Sequence, residues 1–248
     1  MANRYSKPPV VEALCEFRFI PSRPWDHTFP GLVFRELEGS FPVSRPATGL
    51  ELVIQPGPEG TTQRFTPVER SVFSSEDGRS RIQVAPNNLV VNRLRPYAGW
   101  NAFRPSIDVA LGAYVSQVRP EGIARVGLRY INRFEIPESK PDPERLFRFY
   151  PHVCEDHVGA FDSFIVGIRL PYENSRDALK VQLTTAETVK EGRSGFVLDL
   201  DYSLEKAGSI RSDNALEWLD AAHGRIEDAF EGCLTDEIRS RFEGNQAC

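Results

Sequence analysis

Arginines 125, 129 and 133 recur at every fourth position of the stretch RVGLRYINRF, residues 125–134. Read as a strand, where successive side chains point to opposite faces, this spacing puts all three on one side with Gly127 and Ile131. Val126, Leu128, Tyr130 and Phe134 take the other side, with Asn132 among them. A guanidinium is planar, permanently charged and able to grip a carboxylate or phosphate through two parallel hydrogen bonds. The chemistry on offer is anion recognition. Either an anionic partner takes these groups, or the chain's own carboxylates do.

Both sides of that choice are visible in the sequence. Arg79 and Arg81 share a face of one predicted hairpin strand, and Arg93 and Arg95 share a face of its mate, with Ile82, Val84, Val90 and Leu94 opposite. If that hairpin joins the strand of residues 122–135 with the same facing, seven arginines cover one surface. Such a surface suits a nucleotide, a nucleic acid or an acidic protein segment. Tyr97 and Trp100 follow in RPYAGW, where they can stack on a base or anchor a packed loop. Against this, Glu12 and Glu16 lie on the polar face of the first strand, and Asp199, Asp201 and Glu205 share a face of FVLDLDYSLE. Cross-strand ion pairs with these carboxylates would consume the arginines with no guest at all.

Other reactive residues form weaker patterns. YPHVCEDH places His152, Cys154 and His157 within six residues, the right donors for zinc but without a fourth ligand or a known catalytic spacing. His223 has Asp220 and Glu227 one turn away on either side and reads as a surface histidine in helical ion pairs. There is no phosphate-binding glycine loop, dinucleotide fingerprint, metalloprotease motif or nucleophile elbow. A metal-dependent hydrolase or nuclease using HVCEDH or the Asp199–Asp201 pair is the residual enzymatic reading. No cofactor, no bound metal and no catalytic residue are expected.

The bulk numbers describe a globular chain. Its 248 residues are 40% hydrophobic and 26% charged, with a net charge of −5, so a core can form without disulfides. The charge is uneven: residues 79–133 hold nine arginines against Asp108 and Glu121. An acidic chain with a basic middle argues for a local anion site or an internal match, and against non-specific nucleic-acid binding. No apolar run reaches membrane length. The start lacks a signal-peptide layout and the four cysteines are scattered, which makes a cytoplasmic protein with reduced thiols the expectation.

The elements that must position these groups are legible as periodicities. Residues 10–20 alternate as a half-buried strand, and 28–39, 103–118 and 213–232 carry helical stripes. Strands are expected at 50–56, 62–68, 70–73, 80–94 as a hairpin, 122–135, 161–170, 179–187 and 195–206, with short helices at 143–151 and after Thr235. The order strand, short helix, strands, long helix occurs twice. The predicted fold is α+β, mostly antiparallel with helices on one face, in lobes 1–120 and 121–248 that are possible repeats within one continuous domain.

Four segments together resemble one family: KPPVVEA, RPYAGW, VGLRYINRFEIP and AHGRIEDAFEGCLT. The chain is similar to a sporadically distributed bacterial protein family of about 250 residues with no assigned biochemical role, most specifically in GLRYINR. By analogy, the resemblance implies an accessory of a phage-defence or toxin–antitoxin-type system. The function expected from the whole is a non-enzymatic binding protein. It would hold a partner protein or nucleic acid on an Arg-rich sheet face formed by Arg81, Arg93, Arg95, Arg125, Arg129 and Arg133 beside Tyr97 and Trp100. A nucleotide or small-anion sensor, with its ligand between the lobes, is the alternative.

Overall fold

The structure, a computed structural model, describes residues 5–57, 60–152, 163–188 and 191–242. Alternating apolar residues form nine strands: β1 (Val10–Ile20), β2 (Val43–Gly57), β3 (Gly60–Ser74), β4 (Ser80–Ala85), β5 (Asn88–Leu94), β6 (Gly122–Ile136), β7 (Ile165–Tyr172), β8 (Asp177–Ala186) and β9 (Ser194–Leu204). They make one antiparallel sheet in the order β2-β3-β4-β5-β1-β6-β9-β8-β7. Five helices complete the described chain: α1 (Phe29–Leu37), α2 (Trp100–Val118), α3 (Pro143–Leu146), α4 (Ala215–Cys233) and α5 (Asp236–Ser240). The fold is α+β, as the pattern predicts.

One face of the sheet is apolar because every second residue is. Ala13, Cys15, Phe17 and Phe19 of β1 are buried, as are Val126, Leu128, Tyr130 and Phe134 of β6. Helices cover this face. Phe19 stacks on Tyr114 of α2 at 4.6 Å between centroids, Tyr202 of β9 meets Trp218 of α4 at 5.5 Å, and Phe34 of α1 lies 5.1 Å from Phe73 of β3. The stripe Phe103, Ile107, Leu111, Tyr114, Val118 is buried throughout, as its spacing predicts. Cores from both halves of the chain merge into one cluster. The halves meet where β1 pairs along its length with β6.

Several boundaries differ from the sequence reading, each for a local reason. The expected strands at 62–68 and 70–73 are one, β3, with Pro67 inside it. Before Ser71 β3 pairs only with β2, so the missing N–H of Pro67 breaks no ladder toward β4. Helix α2 begins at Trp100 on Gly99, whose φ of 95° suits glycine, rather than at 103. A register irregularity between Val10 and Glu12 turns Val10 inward, where simple alternation would place Val11. The helix expected over 143–151 closes after one turn. The first residues of the strand expected from 161, together with Cys154, His157 and Cys248, lie outside the described residues.

Candidate functional site

Alternation in β1, β6 and β9 determines what the uncovered face of the sheet carries. Leu14 lies opposite Arg129, Arg129 opposite Asp201, Ile131 opposite Asp199, and Arg18 opposite Arg125. Opposed residues of an antiparallel pair share a face. Arg125, Arg129 and Arg133 therefore stand together on the side away from the helices, with Glu12, Glu16, Asp199 and Asp201. No residue of this face belongs to the apolar cluster among the described residues.

The guanidiniums are partnered there. Arg129 grips Asp199 with both Nε, at 2.8 Å, and Nη2. Its hydrogen bonds to Asp199 hold the guanidinium above its ordinary range, partly offset by burial. Arg125 Nη1 donates to Glu16 Oε2 at 2.8 Å, and Arg18 Nε donates to Oε1 of the same carboxylate at 3.2 Å. One glutamate thus separates two arginines that the register places opposite each other. The guanidinium of Arg125 lies over Gly127, where an added Cβ would come within 3.2 Å of it. Arg133 reaches the carbonyl of Glu187 through Nη2, with Glu135 3.7 Å from Nε. Burial raises the Asp201 carboxyl above the usual range, against the pull of Arg125, Arg129 and Lys180.

Amides carry the network across the next strands. Arg70 donates to Gln83 at 2.9 Å, Gln83 to Asn92 at 2.9 Å, and Asn92 to Glu12 at 2.7 Å. This chain ties β3, β4, β5 and β1 together on the open side. Arg81 lies on the same side and donates Nε to the Gly78 carbonyl at 3.2 Å.

Arg93 is not on that face. It pairs with Ser80 on β4 and Ala13 on β1, both helix-side positions, and its Nη1 donates to Ser80 Oγ. The expected common facing of Arg81 and Arg93 fails because Leu89 and Val91, rather than Val90 and Leu94, fill the core. In an apolar run of this kind both faces look alike, and a one-residue shift reverses every side chain. Arg95 follows the end of β5, exposed, where its N–H joins the Val11 carbonyl. Tyr97 is no base platform: it is 5% exposed, and its hydroxyl bonds that of Tyr130 at 2.9 Å.

A second polar cluster sits under the helices where α2 meets α4. Trp100 stacks on His223 at 4.6 Å with the rings 17° apart. Tyr130 Oη lies 3.1 Å from His223 Nδ1, and Glu227 is 3.6 Å from Nε2. Asp220 accepts from Trp100 Nε1 at 2.9 Å and from Arg104 Nε at 2.8 Å. His223 is thus a packed histidine rather than the surface residue its spacing suggests. Its missing signal is the tryptophan, which comes from the other half of the chain.

Among the described residues no group of three or more His, Cys, Asp or Glu could hold a metal ion, and the Asp199–Asp201 pair is engaged by arginines. Cys15 and Cys233 are buried in the core. Burial raises the Cys15 thiol well above its ordinary value and pushes Cys233 up to about 11. Neither is a nucleophile at neutral pH. Alkylation of the native protein at pH 7.5, mapped by mass spectrometry, should leave both unlabelled until denaturant is added. Prompt labelling of Cys15 would contradict its burial in the core.

No helix among the described residues is long and apolar enough to cross a membrane. No protein-family model matches the chain, and no curated protein matches it. Twelve chains of solved structure match. One is the di-domain ARO/CYC StfQ from the steffimycin biosynthetic pathway, 11% identical over 87% of this chain and 94% of that one, with a TM-score of 0.19. A likeness at that score says nothing about fold or activity here. The comparisons are consistent with a resemblance to a family without an assigned role, and none of them names a function.

Proposed function

We propose that this is a non-enzymatic binding protein that takes a partner protein on the open face of its sheet, centred on Arg125, Arg129 and Arg133. The observation that carries the reading is the state of Arg129. Asp199 holds it by one edge, yet 41% of its side chain remains exposed. A guanidinium has five N–H donors, and this ion pair fixes its direction while Nη1, which donates to no acceptor among the described residues, is left for a guest. Arg125, 29% exposed, is held by Glu16 through Nη1 alone, with Asp201 3.8 Å from Nη2.

The alternating charge favours protein over nucleic acid. Glu12, Glu16, Asp199 and Asp201 lie among the arginines, where a phosphate backbone would meet four carboxylates. A protein segment that presents its own carboxylates between basic or amide groups fits both signs at once. Arginine is also a residue that protein interfaces favour. The family resemblance supplies the setting, an accessory of a bacterial phage-defence or toxin–antitoxin-type system.

The test is affinity capture from the native host, followed by titration of the captured partner. Arg125→Glu with Arg129→Glu should weaken binding at least tenfold, since truncating a desolvated interfacial charge costs about 2–5 kcal/mol. Arg211→Glu, on an arginine whose side chain is 82% exposed outside the sheet, should change nothing. Exchanging the pair, Arg129→Asp with Asp199→Arg, keeps an internal ion pair and should still lose the partner. Unchanged capture by folded double-reversal and exchanged-pair variants would overturn the proposal.

A further inference from the structure

Strand β7 is an edge: it pairs with β8, and among the described residues no strand pairs with its other side. Its sequence, IVGIRLPY, is nonetheless apolar, and Ile165, Ile168 and Leu170 are 69%, 44% and 36% exposed. Sheets normally blunt such an edge, because its unpaired backbone is a template for another strand.

The ladder shows which backbone groups are on offer. The Thr185 N–H donates to the Phe164 carbonyl at 3.1 Å, next to the register pair Ile165–Thr184. In an antiparallel ladder the groups alternate, so even-numbered residues of β7 bond to β8 and odd-numbered ones point outward. The outward set is Ile165, Gly167, Arg169 and Pro171. Proline falls in that set, where its missing N–H costs β8 nothing. The side chains of Val166, Ile168 and Leu170 lie opposite Leu183, Val181 and Leu179, so they belong to the helix side and end the hydrophobic core in the open.

We infer that β7 pairs antiparallel with β7 of a second copy of this chain, about a twofold axis through Ile168. The strand's own pattern suits this occupant and this register. Gly167 faces the partner's Arg169 in hydrogen-bonded pairs, and Ile165 faces the partner's Pro171. On the helix side, Ile168 meets its counterpart on the axis and Val166 meets the partner's Leu170, which extends the core across the junction. Centring the axis on Arg169 instead would set two arginines directly opposite. Arg169 keeps its ion pair with Glu205, 3.3 Å away, since that bond lies on the opposite face from the apolar contact. Closed twofold pairing uses up the β7 edge of both copies and stops there.

Analytical ultracentrifugation tests this. A single strand pair makes a small interface, so the full chain should be dimeric at about 100 µM and dissociate on dilution towards about 1 µM. Ile168→Asp, which sets two carboxylates together on the axis, should be monomeric at both concentrations with an unchanged circular dichroism spectrum. Ile168→Cys gives an independent reading of the register. The axial pair is a non-hydrogen-bonded one, with Cα atoms about 4.5 Å apart, within disulfide range. Mild oxidation should cross-link Ile168→Cys into a covalent dimer, and should not cross-link the wild type or Val166→Cys. A wild-type monomer at the higher concentration would overturn the inference, whether the strand then stays bare or serves another protein. So would a dimer that survives Ile168→Asp, or the absence of a cross-link at position 168. If Ile168→Asp does not fold, the cross-link decides alone.

Discussion

Replacing Asp177 with alanine is expected to destabilise the protein by about 4 kcal/mol, because it removes a buried carboxylate that accepts from three side chains. Asp177 begins β8 and is 1% exposed. Arg176 donates Nε and Nη2 to it at 3.2 and 2.7 Å, Tyr202 its hydroxyl at 3.2 Å, and Trp218 of α4 its indole N–H at 3.2 Å. The carboxylate thus ties β8 and β9 to the closing helix. Alanine leaves the tyrosine hydroxyl and the indole N–H buried without an acceptor, and each such orphan costs about 1–3 kcal/mol. In a chain of this size the loss corresponds to a fall in Tm of roughly 10 °C. Tyr202→Phe removes one donor and keeps the anion, so it should cost about 1 kcal/mol. Urea denaturation of the two variants would check the order. An Asp177→Ala protein within about 1 kcal/mol of wild type would show that the knot is not what fastens α4.

The second large effect is a loss of stability in mild acid. Burial lowers His223 from its ordinary value to about 4, with Asp220 pulling the other way. The geometry gives the neutral ring a definite tautomer. With the proton on Nε2, facing the carboxylate of Glu227, Nδ1 accepts from Tyr130, which in turn accepts from Tyr97. A proton on Nδ1 would reverse that row and leave Tyr97 no acceptor among the described residues. Above the unfolded value of about 6.5, both states are neutral and the contribution is complete. As pH falls below 6.5 the unfolded chain takes up a proton that the folded chain refuses. Stability should drop by about 2 kcal/mol at pH 5 and approach about 3 kcal/mol near pH 4. Denaturation at pH 7.5 and pH 5 measures it. His223→Phe retains a ring against Trp100 and should abolish this part of the slope. An equally steep slope in that variant would move the cause elsewhere.

Local periodicity made much of this fold readable. The facing of the arginines in β6, the stripes of α2 and α4, and the carboxylates fit to meet those arginines all follow from alternation within single segments. What could not be read was register and distance. Val90 and Val91 are adjacent and equally apolar, so nothing local says which faces the core, and alternation from Val90 sets Arg93 on the wrong side. Arg129 and Asp199 are 70 residues apart; their types suggest a pair, but only the β6–β9 register makes one. His223 reads as exposed because its helix shows two carboxylates around it, whereas Trp100 arrives from a different helix. The candidate face was therefore legible as a set of residues, while its partnering was not.

The pairing of β1 with β6 has a consequence for synthesis. Residues 10–20 emerge from the ribosome more than a hundred residues before their partner at 122–136. Until then one flank of β1, with Ala13, Cys15 and Phe17 beside it, is a bare ladder in a half-finished sheet, and α2 has no α4 to lean on. Long-range pairing of this kind delays closure and invites wrong partners while the nascent chain waits. A gene cut near codon 120 should accordingly yield an aggregating first fragment, and holdase chaperones should engage the growing polypeptide most strongly just before its central strand appears.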